Sequence, residues 1–269
     1  MAATSTSATS SSLSSPGPDV SDLLALYDQY ERYLATSPDV RREELPYLVR
    51  HVDLVGQSGT VIFSRLTAET LDVSITEQIR FFQSIGQEFE WKAFAHDHPP
   101  DLVARLAARG FEVDETEAIM VLDVNDAPAA LLAPTPMVKR LQQREELRDV
   151  SAIKHQLGDD RPLERLAYEL EVAPDYLSMY VAYAEKRPAA CGWIRFPRAS
   201  PFASLWGGAT VPELRNRGLY TALLAARVQE ARARGKRYVT IDARHMSRPI
   251  VAKRGFRLLT YATACKWHG

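Results

Sequence analysis

The sequence predicts an α/β fold of the mixed, α+β kind, built from two copies of one element pattern. Three observations predict it. The order strand, helix, strand, helix, strand reads twice along the chain. The strings "AARGF" (107–111) and "AKRGF" (252–256) each close the second helix of that pattern and lead into its last strand. The length, 269 residues, suits two domains better than one. Hydrophobic residues at 46% and charged residues at 25% are ordinary globular values, so neither a disordered nor a fibrous class fits. No apolar run approaches the roughly 18–20 residues of a membrane span, and no membrane partner is expected.

In chain order, the opening "MAATSTSATSSSLSSPGPD" lacks the apolar core of a secretory signal and the arginines of a transit peptide, and residues 1–18 are expected to be a disordered tail. "VSDLLALYDQYERYLA" (Val20 to Ala35) spaces Leu23, Leu24, Tyr27, Tyr30 and Leu34 at helical intervals. "GTVIFSRL" reads as a strand, "TEQIRFFQSIGQ" as a helix opened by Thr76, and "FEWKAFA" as a strand. "PPDLVARLAARGF" is a helix with a proline start and Gly110 at its end, followed by the strand "EAIMVLDV". The second half opens with a short strand "MVKRL" and helical stretches around 144–155 and 161–170. A hairpin follows, "LSMYVAYAEKRPAACGWIRF", with its turn at Glu185 to Pro188. Then come the strand "FASLWGGATV", a helix, the strand "RYVTIDA", a short helix near Ser247 to Lys253 and the strand "LLTYATACKW". The expected division is a tail (1–18), an N-terminal unit (19–125), a Pro-rich linker (126–136) and a C-terminal unit (137–269).

The net charge of −1 hides an asymmetry. Residues 1–136 hold 9 Lys and Arg against 21 Asp and Glu, whereas residues 137–269 hold 24 against 13. Either the C-terminal half carries a field suited to a polyanion, or the halves attract each other, or both. The two cysteines, Cys191 and Cys265, form neither a disulfide framework nor a Cys-x-x-Cys pair, and a reducing cytoplasm is the expected location.

The most informative stretch is "VPELRNRGLYTALLAARV" (211–228), where Arg215, Arg217 and Gly218 stand at the mouth of a helix. A helix's first turn leaves N–H groups unpaired and carries about half a positive charge, so it attracts an anion. Asn216 is the one side chain there that can cap it. Gly218 permits a backbone path that a Cβ obstructs, and the arginines add positive charge, which makes the stretch a candidate pyrophosphate cradle. The Gly-x-x-x-x-Gly-Lys-[Ser/Thr] and Gly-x-Gly-x-x-Gly cradles are absent.

With a strand before it, a helix after it and "SRPIVAKRGF" downstream, the stretch resembles the acyl-CoA motif of the GCN5-related N-acetyltransferases (GNAT superfamily). The motif there is Arg/Gln-x-x-Gly-x-Gly/Ala. Arg215 takes its first position and Gly218 the central glycine; Tyr220 stands where the family most often has Gly or Ala. The resemblance implies tandem GNAT-like mixed sheets flanked by helices, with a degenerate N-terminal copy. It places acyl-CoA in a cleft between splayed strands of the C-terminal unit, and makes acetyl-CoA the co-substrate. The implied coenzyme contacts are Ala209, Thr210 and Val211 against the pantetheine arm and Arg215, Asn216, Arg217, Gly218, Leu219, Tyr220 and Thr221 around the pyrophosphate. Gly207 and Gly208, inside the preceding strand, read as a bulge or a close approach, or as room for Trp206.

The implied reaction is acetyl transfer to a primary amine of a small-molecule acceptor. A lysine-like amine with pKa about 10.4 costs roughly 4.6 kcal/mol to deprotonate at pH 7, while protonating a thiolate of pKa about 8.5 gains only about 2 kcal/mol, so the base matters more than the acid. The family's tyrosine acid falls at Val251 here, and its strand glutamate is missing. Asp242 and His245, at the end of the fifth strand, are the candidate catalytic pair; Asp242 can alternatively cap the next helix. Tyr180, Tyr183 and Tyr261 either line an acceptor pocket or pack in the core.

Three further stretches carry weaker signals. "HDH" (96–98) offers too few convergent ligands for a metal, and no metal is expected. Cys191 reads as a buried thiol rather than a nucleophile. The basic run "ARARGKR" lacks interleaved aromatics, so no nucleic-acid partner is expected. A homodimer is left open. The rival class is a non-catalytic acyl-CoA-binding sensor or scaffold, favoured by the missing tyrosine and glutamate.

Overall fold

The computed structural model describes residues 19–56 and 58–269; the tail expected at 1–18 lies outside them. Helix α1 (Val20–Tyr27) is capped by the Asp19 carboxylate, which accepts from the Val20 amide, and runs on into a π-helical turn at Asp28–Tyr33. Strands β1 (Val40–Glu44), β2 (Leu48–Asp53) and β3 (Ser58–Ser64) precede helix α2 (Leu71–Ser84). Then follow β4 (Glu88–Phe94), α3 (Leu102–Ala108), β5 (Glu112–Val113), β6 (Glu117–Asp123) and α4 (Ala129–Leu132). The second half comprises β7 (Val138–Arg140), α5 (Leu147–His155), α6 (Glu164–Val172), β8 (Leu177–Ala184), β9 (Arg187–Arg195) and β10 (Phe202–Thr210). It ends with α7 (Leu219–Ala233), β11 (Tyr238–Ala243), α8 (Arg248–Ala252) and β12 (Arg257–Trp267).

Three local expectations change. The β1–β2 hairpin went unread because "VRREE" has no apolar alternation; its cross-strand ion pair Glu43–Arg50 supplies what apolar pairs usually do. Helix α2 opens at Leu71, and Thr76 sits in its second turn with its hydroxyl bonded back to the Asp72 carbonyl. The β8–β9 turn is the two residues Glu185 and Lys186, both left-handed (φ 52° and 61°) as a type I′ turn requires, and Pro188 already belongs to β9.

Among the described residues, twelve strands form one mixed sheet, in the order β1-β2-β3-β4-β12-β6-β11-β10-β9-β8-β7, with β5 paired to β12. The matching strings "AARGF" and "AKRGF" take equivalent places: Gly110 and Gly255 both adopt φ +90° after a helix, and Phe111 and Phe256 are both buried. The last long strands are exchanged, however. β12, from the end of the chain, pairs with β4 of the first half, and β6, from the first half, pairs with β11 of the second.

Some of the opposed charge of the halves is spent on each other. Arg165 on α6 binds both Asp39 and Asp53, Arg237 binds Asp123, Arg244 binds Glu117 and Lys266 binds Asp114. The basic run after α7 is likewise tied down: Arg234 reaches Glu230 and the Asp175 carbonyl, and Lys236 the carbonyls of Pro197 and Ser200. Among the described residues no helix is long and apolar enough to cross a membrane.

Candidate functional site

Strands β10 and β11 are parallel and pair only from Phe202–Tyr238 to Leu205–Ile241. Beyond that point β10 continues to Thr210 without β11, so the two strands part. A bulge between Trp206 and Ala209 sits at the parting, and Trp206, Gly207 and Gly208 are solvent-exposed there. Gly207 is obligatory: its φ is +62°, and a Cβ on it lands 1.9 Å from the Trp193 ring.

The parted β10 leads into α7 through the Arg-Gly turn. Gly218 is the N-cap of α7 in the left-handed conformation (φ 80°), and no side chain caps the helix. Asn216, the expected cap, is itself left-handed (φ 61°) and does not serve. Among the described residues none of the amides from Asn216 to Thr221 donates to a backbone carbonyl or a side chain. Six consecutive donors stand at the positive end of a 15-residue helix, an arrangement that attracts an anion. Arg215 is exposed, with its Nε 3.3 Å from the Thr210 carbonyl and, among the described residues, no carboxylate partner, whereas Arg217 pairs with Glu185 on the β8–β9 turn.

Of the three residues expected along the pantetheine arm, Val211 uses its amide on the Ala189 carbonyl and Ala209 pairs with Cys191 of β9. Among the described residues the buried Thr210 hydroxyl has no partner.

The sheet register decides which side of the gap each residue faces. Gly192 of β9 faces Arg227 of α7, and that face runs through Ile194 and Leu205 to Ile241. Asp242 therefore faces the other side, where α1 packs with Tyr27 against Phe202. Its carboxylate caps no helix but binds Lys92 of β4, a residue of the first half that reaches across β12 and β6. Burial alone lowers the Lys92 pKa, but the Asp242 carboxylate beside it outweighs that and holds it above the usual lysine value. Trp206 shares this face, with Lys92 Nζ 5.8 Å and the Arg195 guanidinium 5.5 Å from its ring.

His245 is not brought to the same place: it stands in solvent beside Glu115, 83% exposed. Lys92 carries no local sequence signal, because only the exchanged strands bring it near Asp242.

The remaining candidates have the following neighbours. Tyr180 is buried and donates to Glu230, Tyr183 donates to Asp149 at 2.5 Å, and the Arg248 guanidinium lies 5.4 Å over the Tyr261 ring. Val251, at the place of the family's tyrosine acid, is fully buried in α8. Burial pushes the thiols of Cys191 and Cys265 up to about 11. Both are expected to stay unlabelled by a maleimide at pH about 8 in the native protein and to react on unfolding; rapid native labelling of Cys191 overturns this.

The first half repeats the parted strands but not the opening. β3 and β4 pair from Ser58–Glu88 to Val61–Trp91 and then separate. Arg32 from the π-helical turn lies there, 1% exposed, with Nε 3.4 Å from the Ile62 carbonyl. Its NH2 bonds both oxygens of Asp97 at 2.6 and 2.9 Å. His96 of the "HDH" stretch bonds Asp28 and Thr260 rather than standing free. No Arg-Gly turn precedes α2.

The Acetyltransferase (GNAT) family model matches residues 142–256. A GCN5-related N-acetyltransferase from Kribbella flavida has the same fold, with a TM-score of 0.66 at 13% identity, over 94% of this chain and 97% of that chain. A functionally unknown conserved protein from Staphylococcus epidermidis gives 0.63 at 12%, over 85% and 94%. A tandem GNAT protein from the clavulanic acid biosynthesis pathway gives 0.55 at 13%, over 94% and 89%. Comparison of the sequence with curated proteins finds no match. At these identities the structural likeness speaks for the fold, and the family match for the chemistry of acyl transfer with acetyl-CoA as co-substrate. The second half of this chain, at residues 142–256, is a domain of the GNAT acetyltransferase family.

Proposed function

We propose that the protein transfers an acetyl group from acetyl-CoA to a primary amine of a small molecule. The observation that carries this reading is the joining of two features: strands that part at a bulge, and a helix start whose amides have no partner. The amides from Asn216 to Thr221, with Arg215, would hold the diphosphate, and the gap beside Gly207 and Gly208 would receive the pantetheine arm. When bound, acetyl-CoA supplies the activated acetyl group. Asp242, just past the last β10–β11 pair and on the α1 side, is the proposed base for the acceptor amine. The base role is not given to His245, which stands in solvent. Lys92, kept charged by its carboxylate neighbour, is neither base nor acceptor at neutral pH; it orients Asp242.

Calorimetry with acetyl-CoA tests the coenzyme half of this reading, and thiol release with a panel of amines tests the transfer. Tight binding without turnover on any amine favours the sensor instead. Arg215→Ala is expected to weaken acetyl-CoA binding roughly tenfold at low salt and less at high salt, since an exposed arginine on a diphosphate acts through screened charge. Unchanged affinity removes Arg215 from the cradle.

A further inference from the structure

Val251 leaves the departing thiolate without the proton donor that the family resemblance implies, and the structure holds a phenol elsewhere along the gap. Tyr220, in the first turn of α7, lies over the parted segment of β10. A Cβ built on Gly208 would sit 3.0 Å from the Tyr220 ring edge and 3.8 Å from its hydroxyl. Glycine at 208 is therefore what lets the ring reach the bulge. Tyr220 is half-buried, and its hydroxyl makes no hydrogen bond among the described residues, so the proton stays available to a ligand in the gap.

Beneath it lies Arg227, fully buried and facing no carboxylate. Its three hydrogen bonds go to the carbonyls of Leu223, Trp193 and Trp206, and one of its terminal nitrogens has no partner. A buried guanidinium without a counter-charge is costly, and among the described residues no carboxylate pairs with Arg227. Arg227 is the charged group whose field reaches Tyr220. Cys191 on β9 is neutral, the parted part of β10 has no titratable side chain, and Asp242 faces the opposite side of the sheet.

We propose that Tyr220 is the catalytic acid, giving its hydroxyl proton to the sulfur of coenzyme A, and that Arg227 is a positioning residue that fixes the bulge and favours negative charge at that sulfur. This rests on the acetyl-CoA reading above. The step balances with Asp242 on the other side of the gap. The amine nitrogen forms its bond to the acetyl carbon and passes a proton to Asp242. The carbon–sulfur bond breaks with its electron pair on sulfur, and the Tyr220 proton completes the thiol; water then reprotonates the phenolate. The two groups stand on opposite faces of the sheet, so acid and base do not quench each other.

The test is the acidity of the bound product, which needs no acceptor. Coenzyme A bound to the full-length protein is titrated by the ultraviolet absorbance of its thiolate. The wild type is expected to lower the thiol pKa by about one unit from the free value of about 8.5, as a charge-assisted hydrogen bond to the anion requires. Tyr220→Phe should return it towards the free value with affinity for coenzyme A changed less than about threefold. Gly208→Ala, which keeps the hydroxyl but pushes the ring away, should give an intermediate value. If Tyr220→Phe binds coenzyme A and titrates like the wild type, the assignment to Tyr220 is overturned while the acetyl-CoA reading stands. If the wild type binds no coenzyme A, both fall.

Discussion

Arg32→Ala is expected to destabilise the protein by about 3–5 kcal/mol, on the order of 10 °C in Tm, without any change in the second half's cradle. Arg32 and Asp97 expose only 1% and 4% of their side chains, so the pair is out of water. Removing the guanidinium leaves the Asp97 carboxylate buried with the Phe94 amide as its remaining donor. It also strips the cation 3.9 Å over the Phe94 ring, and the side chain that fills the parting of β3 and β4. The mechanism is specific enough to be checked by coupling. Arg32→Met combined with Asp97→Asn keeps the acceptor for the Phe94 amide and removes the stranded charge, so it should be more stable than Arg32→Met alone. Urea unfolding of the three variants measures it; a double variant no better than the single one means that packing, and not the buried charge, sets the cost. In the first half the parted strands are closed by its own arginine and the buried ion pair that it makes with Asp97.

What the sequence revealed follows from the range of each signal. The Arg-Gly turn was legible because every part of it is local: a strand end at Val211, arginines at 215 and 217, a glycine at 218 and a helix after it. The bulge was legible only in part: two glycines inside a strand also suit a close approach or room for a ring, and it is the register shift between Trp206 and Ala209 that decides. The exchange of β6 and β12 was not legible, because "EAIMVLDV" and "LLTYATACKW" announce strands but nothing in either names its neighbour. Lys92 was invisible as a consequence: it lies 150 residues from Asp242, in a strand that reads as half of an ordinary β4. The charge asymmetry of the halves did point to the joint, but left two readings open, and the ion pairs from Arg165, Arg237, Arg244 and Lys266 show attraction as one use to which that charge is put. The expected Asn216 cap failed for a conformational reason, since a left-handed residue two positions before the true N-cap does not aim its side chain at the first-turn amides. That failure leaves the amides free.

Asp242→Asn is expected to lower kcat for acetyl transfer about 10²–10³-fold, roughly 3–4 kcal/mol in the barrier, while leaving acetyl-CoA binding close to unchanged. Asparagine keeps the shape and the acceptor oxygen for Lys92 but takes no proton. The amine must then lose its proton to water, and the cost of neutralising it returns to the barrier. The proposed coenzyme cradle lies on α7 and the turn before it, on the other side of the sheet, so binding measured by calorimetry should not follow kcat. Lys92→Met makes the complementary change. It leaves the Asp242 carboxylate without its cation, 14% exposed at the mouth of the gap, so an arriving ammonium meets less competition for that carboxylate and KM for the amine should fall more than kcat changes. Thiol release with the best amine of a panel reads both variants. Asp242→Asn within about threefold of the wild type moves the base elsewhere; Lys92→Met losing kcat with KM unchanged makes the lysine part of the chemistry rather than a holder of its carboxylate.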